Sequence, residues 1–288
     1  MNINSLLSHR STEPENGVLY IVGTPIGNLN DITKRALTIL KNVSLIACED
    51  TRQTRKLMSK YDFKNNLLSF NKNNSHKKIP NIINQLKKGK SIALVSDAGM
   101  PSICDPGEEL IKNIRLNQLD VICVPGPCAA IMAVVSSGYE CSKFNFEGFL
   151  PKKKIDREKI LFEISQNKKT TILYESPHRL KKLLIELKEY CGGWRRIHVA
   201  RELTKKFEEH LNSDIDKVID FYDKKEILGE YTIVIRGVDD KDEKYFDAFA
   251  LKKELKGLIG AGLSLSAASK YLAKKENLPK KTIYSLYS

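Results

Sequence analysis

Short apolar runs alternate along this chain with longer stretches in which apolar positions recur every three or four residues. The runs at 18–22, 43–48, 92–95 and 121–124 have the length and β-branched content of buried strands. Between them, 31–40, 82–87, 108 to about 117 and 128–136 carry helical spacing. Asn30 or Asp31 stands near the start of the first helix, and Glu108 and Glu109 place acids in the first turn of the third. Strand–helix alternation of this kind predicts βαβ units and a mostly parallel sheet. Beyond residue 138 the strands come more densely. The pattern predicts them at 144–151, 170–174, 196–200 and 229–237, with a further short one at 207–211. A polar helix containing Lys152, Lys153, Lys154 and Arg157 follows Pro151, and 175–179 opens another. This spacing predicts a second, mixed α/β domain.

The expected organisation is a flexible tail at 1–16, an N-terminal α/β domain at 17–138 and a second α/β domain at 139–238. A charged linker at 239–244 then leads to a helical module at 245–288. That last segment has no strand signal and, from 241 onward, ten Lys against five acids. Its Ala-rich helix at 263–273 and a second helix from Pro279 resemble a helix-turn-helix module. The plainer reading is a helical tail packed on the body.

Three strand ends open into Gly/Pro loops, at 23–28, 97–107 and 125–127. Open α/β sheets bind ligands outside the carboxyl ends of their strands. Gly99 and Gly107 let backbone approach a ligand, and Asp97 can accept hydrogen bonds from hydroxyls or an amine. A single such loop reads equally well as a tight turn with a capping Asp; three of them favour a ligand crevice. The first loop is G-x-x-x-G rather than G-x-G-x-x-G, so a nicotinamide fingerprint is poorly matched.

The 288 residues, 41% of them hydrophobic, suffice for about two cored domains. No apolar run reaches membrane-spanning length, and the first 16 residues lack the apolar core of a signal peptide. The cytoplasm is the expected location. The six Cys form no C-x-x-C pair and the five His complete no ligand set, so neither zinc nor a disulfide framework is expected. Cys48 and Cys123 read as small core residues. The net charge of +13 points to an anionic partner, with nucleic acid the usual one; a Lys-rich solvated surface is the alternative.

Several long motifs then agree in order. Leu19-Tyr-Ile-Val-Gly-Thr-Pro-Ile-Gly-Asn-Leu-Asn-Asp-Ile-Thr33, Cys48-Glu-Asp-Thr-Arg52, Ser96-Asp-Ala-Gly-Met-Pro-Ser-Ile-Cys-Asp-Pro-Gly107 and Val124-Pro-Gly-Pro127 resemble the tetrapyrrole methylase family. Tyr174-Glu-Ser-Pro-His-Arg179 and Ala200-Arg-Glu-Leu-Thr-Lys205 resemble its branch that methylates a cytidine ribose 2′-oxygen in 16S ribosomal RNA, in the region of nucleotide 1402. The resemblance covers about residues 17–237. It implies a two-domain α/β fold that binds S-adenosylmethionine in the cleft between domains, usually as a homodimer, with no metal, and with the 30S ribosomal subunit as partner. It implies cofactor contacts at Gly23, Pro25, Ile26, Asp97, Ala98, Gly99, Met100, Ser102, Ile103, Cys128, Ala129, Tyr174, Leu203 and Tyr231. This chain departs from the family's usual pattern at Met100, where Thr is commoner, and at 70–74, where relatives often carry His and Glu.

For such a transfer the candidate proton acceptors are Asp50, Glu175 and Glu202, each at a strand end. Arg52, Arg179, Arg201 and Lys205 are the candidates for gripping phosphates. For each acid–base pair, such as Arg201 with Glu202, a structural ion pair is the plainer reading. Lys152–Lys154, the Lys-rich loop at 72–78 and the C-terminal module are expected to add salt-dependent affinity for RNA. Two alternatives stand beside this reading. One is a tetrapyrrole C-methyltransferase of the same fold, and the other is a non-catalytic RNA-binding protein built on 245–288.

Overall fold

A computed structural model describes residues 13–239, 248–275 and 280–287. The expected tail up to residue 12, most of the charged linker and the helix start at Pro279 lie outside the described residues. Two compact units are present. The first gathers the described residues up to Met132 together with Leu203–Phe207; the second holds the rest.

The first unit is built on an all-parallel sheet of β1 (Val18–Val22), β2 (Leu45–Cys48), β3 (Leu67–Ser69), β4 (Ile92–Val95) and β5 (Asp120–Val124), in the order β3-β2-β4-β1-β5. The central strands β1 and β4 are buried along their whole length, which is why they read as unbroken apolar runs. Helices α1 (Lys34–Asn42), α2 (Thr51–Lys60), α3 (Ser75–Lys87) and α4 (Glu108–Leu116) connect them, and α5 (Ala129–Ser137) follows β5. One core layer packs Ile39 and Leu40 of α1 against Tyr20, Ile46 and Val124; the other packs Ile82 and Leu86 of α3 and Leu110 and Ile114 of α4 against Leu19 and Leu94.

The second unit has a mixed sheet of β6 (Phe144–Phe149), β7 (Thr170–Glu175), β8 (Arg196–Arg201), β9 (Glu209–Asp214) and β10 (Tyr231–Ile235), in the order β6-β7-β10-β8-β9. Only β6 and β7 run parallel; β7–β10, β10–β8 and β8–β9 are antiparallel. Helices α6 (Lys154–Gln166), α7 (Pro177–Cys191) and α8 (Ile215–Asp223) accompany it. Pro177 pre-sets the first turn of α7, and Gly192 at φ 83° ends it. Leu180, Leu183, Leu184 and Leu187 form its buried stripe. Helices α9 (Ala248–Gly260), α10 (Leu265–Lys275) and α11 (Lys280–Ser285) share a small core of Leu251, Leu255, Ala268, Leu272 and Ile283. No helix among the described residues is long and apolar enough to cross a membrane.

The structure departs from the sequence expectations at identifiable places. The first helix is capped by Thr33, whose Oγ1 accepts from the Ala36 amide at 3.1 Å, while Asn28 caps a short 3-10 turn at Leu29–Asp31. The polar run 71–78 already enters α3 at Ser75. Phe70 is 1% exposed, and Asn71 and Asn74 close the turn before α3, with the Asn74 carboxamide accepting from the Asn71 amide at 2.9 Å. Cys48 is buried, but Cys123 is exposed, because β5 is an edge strand and half of its pattern faces outward. The end of the expected tail is held: Glu13 pairs with Arg35 at 2.6 Å, and the Glu15 amide donates to the Tyr20 hydroxyl at 2.8 Å. The strand expected at 207–211 forms at Glu209–Asp214. Helices α2 and α8 and strand β3 have no counterpart in the sequence expectations, and α9 falls within the helical module expected at 245–288.

Strands β8 and β9 enclose a histidine pair. His198, 2% exposed, shares a hydrogen bond at 3.2 Å between its Nε2 and His210 Nδ1, and His210 Nε2 meets Glu208 Oε1 at 2.7 Å. Burial, and then the neighbouring His210, push the His198 pKa down to about 4. The unfolded chain takes up this proton near the ordinary value of about 6.5. This contribution to stability is therefore complete above about pH 6.5 and is lost as pH falls towards 4, by on the order of 3 kcal/mol. Denaturant midpoints of the wild type and His198→Gln, taken at pH 7.5 and 4.5, check this. The wild type should lose more stability over the interval than the variant; equal losses would remove His198 as the cause.

Candidate active site

The three Gly/Pro loops meet at the carboxyl ends of β1, β4 and β5. Thr24 and Gly99 form an isolated bridge, with the Thr24 amide donating to Gly99 O at 2.9 Å and the Gly99 amide to Thr24 O at 3.0 Å. Gly99 adopts φ 80°, a left-handed conformation that other L-residues adopt only at a cost. Gly23 and Gly126 touch backbone to backbone. A Cβ on Gly126 would lie 2.6 Å from Gly23 Cα, and one on Gly23 would lie 2.6 Å from Met100 Sδ. Pro25 is buried, Ile26 is half-buried beside Gly99, and Ile103 is 51% exposed. Ser102, at φ 73°, has a buried hydroxyl with no hydrogen-bond partner in the protein. Ala98 is exposed, and Cys128 and Ala129 lie at the start of α5, where Cys128 O accepts the Met132 amide at 3.0 Å.

Carboxylates gather at the ends of β2 and β4. Asp97 Oδ1 accepts the Asp50 amide at 3.0 Å. Its pKa is raised, first by partial loss of hydration and then by the Asp50 charge, with the Asp50 amide opposing the rise. Glu49 and Asp105 are likewise raised by desolvation, Glu49 further by the Asp105 and Asp97 charges. The sequence reading passed over Glu49 and Asp105 as site residues, although both stand inside quoted motifs; adjacency to a strand end was the available signal. Lys72 reaches the same place and donates to Cys104 O at 3.3 Å.

Asp50 does a different job from the one expected. It caps α2, accepting the Arg52 amide at 2.8 Å, and its carboxylate holds the Arg52 guanidinium with contacts of 3.0 and 2.6 Å. Arg52 keeps its pKa down at about 2. A carboxylate so strongly committed to its anion is a poor proton acceptor at neutral pH.

In the second unit, Tyr174, Glu175, Arg201, Glu202 and Tyr231 come together at one edge of the mixed sheet, where Tyr231 of β10 stands in register with both Glu175 of β7 and Arg201 of β8. Tyr174 packs its ring on Phe146 and Phe149, and Tyr231 is buried against Tyr222. Glu175, one of the three candidate bases, sits within a buried ionic network. Its side chain has no exposure, its Oε1 accepts the Ser176 amide at 2.9 Å, and it lies 3.3 Å from Arg179 and 3.9 Å from the buried Arg157. Arg157 also pairs with Glu186 at 2.6 Å, and Arg179 donates to Leu150 O, so both guanidiniums serve the fold here. Arg201 donates to Leu228 O at 2.6 Å. Glu202 is half-buried, adopts φ 51° and accepts the Glu230 amide at 2.9 Å. In the first unit, Leu203 is buried, and Lys205 lies against Gly27, where a Cβ would come within 2.3 Å of its Cγ.

Comparison with known proteins matches residues 18–219 to the family of Tetrapyrrole (Corrin/Porphyrin) Methylases. A protein of Synechocystis sp. named ribosomal RNA small subunit methyltransferase I is 41% identical over 94% of this chain and 97% of its own length. One of the same name from Thermotoga maritima is 47% identical over 77% of this chain and 99% of its own length. The solved structure of a uroporphyrin-III C-methyltransferase from Thermus thermophilus, complexed with S-adenyl homocysteine, shares the fold. Its TM-score is 0.55 at 13% identity, over 76% of this chain and 96% of that one. The chain therefore belongs to the tetrapyrrole methylase family, alongside the proteins named ribosomal RNA small subunit methyltransferase I.

Proposed function

We propose that this protein transfers a methyl group from S-adenosylmethionine to the ribose 2′-oxygen of a cytidine in 16S ribosomal RNA. The observation that carries the reading is the three-loop contact at Gly23, Gly99 and Gly126, in a chain whose relatives bear the name of a ribosomal RNA methyltransferase. On this reading the enzyme works in the cytoplasm, as a homodimer, on the assembled small subunit.

The residues present fit the methyl donor. Glycines at 23 and 126 let two strand-end loops close on each other, Gly99 supplies the left-handed turn of the third, and the buried Ser102 hydroxyl is available to pair with the donor. Glu49, Asp97 and Asp105 bring three partly desolvated carboxylates to one place, a lining that favours a sulfonium cation. When bound, S-adenosylmethionine supplies an activated methyl group for in-line displacement. The chain's task is then to orient and to exclude water. Asp97 would accept hydrogen bonds from hydroxyls or an amine, Ile26 and Met100 would supply apolar walls, and Gly23 and Pro25 would hold the first loop. Glu202 is the candidate of the three acids to take the 2′-hydroxyl proton, because it combines partial exposure with a non-glycine positive φ.

Four measurements test this. Labelled methyl transfer to small subunits lacking the modification should give an alkali-resistant dinucleotide. Alkali-labile label would move the methyl to a base, and transfer only to a tetrapyrrole would overturn the RNA reading. Asp97→Asn should weaken S-adenosylmethionine binding by roughly 10- to 100-fold in calorimetry, as expected when a charged hydrogen-bond partner is lost; a change below twofold would remove Asp97 from the site. Glu202→Gln should lower kcat by roughly 10²-fold or more while cofactor affinity holds. Glu175→Gln should instead cost about 2 kcal/mol of stability by weakening a buried ionic network. The reverse pattern would restore Glu175 as the base.

A further inference from the structure

Helix α2 separates its residues sharply by face. Thr54, Leu57 and Met58 are buried, while Arg52, Arg55, Lys56, Ser59 and Lys60 are exposed. Arg52, Lys56 and Lys60 are spaced i, i+4, i+8 and so form one stripe, with Arg55 beside it. Like charges at i, i+4 destabilise a helix, so this stripe is not explained by the helix's own stability. Asp50 compensates Arg52 at the first turn, yet the Arg52 side chain remains 82% exposed. Among the described residues no acid lies within 4 Å of Arg55, Lys56 or Lys60.

The stripe continues beyond the helix within the same unit. Tyr61, just after α2, donates its hydroxyl to Leu29 O, and the Asn28 amide donates to Thr204 Oγ1 at 3.0 Å. These bonds bring the end of α2, the 27–30 loop and 203–207 around a recess of about 510 Å³ that Lys60, Lys205, Lys206, Asn28 and Asn30 help to line. At its margin Phe207 is 63% exposed, with Lys206 Nζ 5.6 Å from the ring centroid. An exposed aromatic beside a cationic track is the pattern that binds single-stranded nucleic acid. The cations follow phosphates, and the ring stacks a base that has left its helix. An acidic protein partner would not need the ring, and a membrane surface would need more apolar area than one phenyl group.

The geometry points to α2 and 203–207 as the surface that engages a single-stranded segment of the RNA substrate, Arg55, Lys56 and Lys60 gripping its phosphates and Phe207 stacking one of its bases. This deepens the ribosomal reading above and rests on it for the identity of the RNA.

The test uses the full chain and two readouts. Binding to small subunits lacking the modification is measured directly across a salt series, and methyl transfer is measured separately. For R55Q/K56Q/K60Q, affinity should fall at least tenfold at about 150 mM salt. The plot of log affinity against log salt should become shallower by about 2, the value for three lost contacts to a single strand. F207A should weaken binding roughly 5- to 100-fold without changing that slope, since stacking is not ionic. The charge-matched control K87Q/K88Q/K90Q, ahead of β4, should bind as the wild type does. S-adenosylmethionine affinity and thermal melting should stay unchanged in all of them, because the substituted side chains are exposed. If both α2 and Phe207 variants bind subunits like the wild type, or if the control loses as much as the triple variant, the surface is overturned. If the salt dependence is intact but an acidic protein competes in place of RNA, the partner class is overturned. Normal binding by the wild type with no methyl transfer would sink the methylation reading and leave this surface standing.

Discussion

The contact between Gly23 and Gly126 is the constraint on which the first unit's chemistry depends. Two strand-end loops can lie backbone to backbone only where neither carries a Cβ, and here a single added carbon would meet the opposing chain at 2.6–2.7 Å. The Thr24–Gly99 bridge ties the third loop to the same place with two hydrogen bonds. The parallel sheet beneath them sets the strand spacing, and the loops convert it into a place where amides and carboxylates face the same side. Beside these loops, Asp97 is tied to Asp50 by the Asp50 amide.

Charge is arranged in this unit by short-range packing rather than by overall excess. A net charge of +13 describes the whole chain, yet at the strand ends of β2 and β4 partial burial makes Glu49, Asp97 and Asp105 hold their protons more tightly than usual. A few residues away, α2 presents an exposed basic stripe. Asp50 belongs to both regions: its amide supports Asp97 while its carboxylate fixes Arg52. The second unit uses ionic groups differently. Glu175, Arg157, Arg179 and Glu186 form a network beneath the end of β7 that satisfies buried charge.

Much of this was written into the sequence because local physics is strong there. The central strands β1 and β4 of the parallel sheet are buried on both faces, so they appear as unbroken apolar runs, and Gly/Pro loops mark their ends. Motif order identified the family from the same residues. Elements whose stability is not local were displaced, as β9 was from 207–211, or were not visible. Strand β9 reads Glu-His-Leu-Asn-Ser-Asp, with no apolar face, and exists because β8 offers it a partner. Helix α2 looked like the polar continuation of a strand end, since three buried side chains among seven polar ones make a weak stripe.

Sequence alone therefore determined the parallel sheet, its three glycine loops and the family, because burial and backbone freedom select residue type position by position. Tertiary structure alone decided which acids are committed. Asp50, Glu175 and Glu202 are equivalent carboxylates at strand ends in the sequence, but which cations each one meets and how far it is buried depend on how the chain folds around it. Arg52 holds one as an anion, two guanidiniums enclose the second, and the third remains half-open on a left-handed residue. A carboxylate's role follows from the charges and the water around it, and those are set only when the chain has folded.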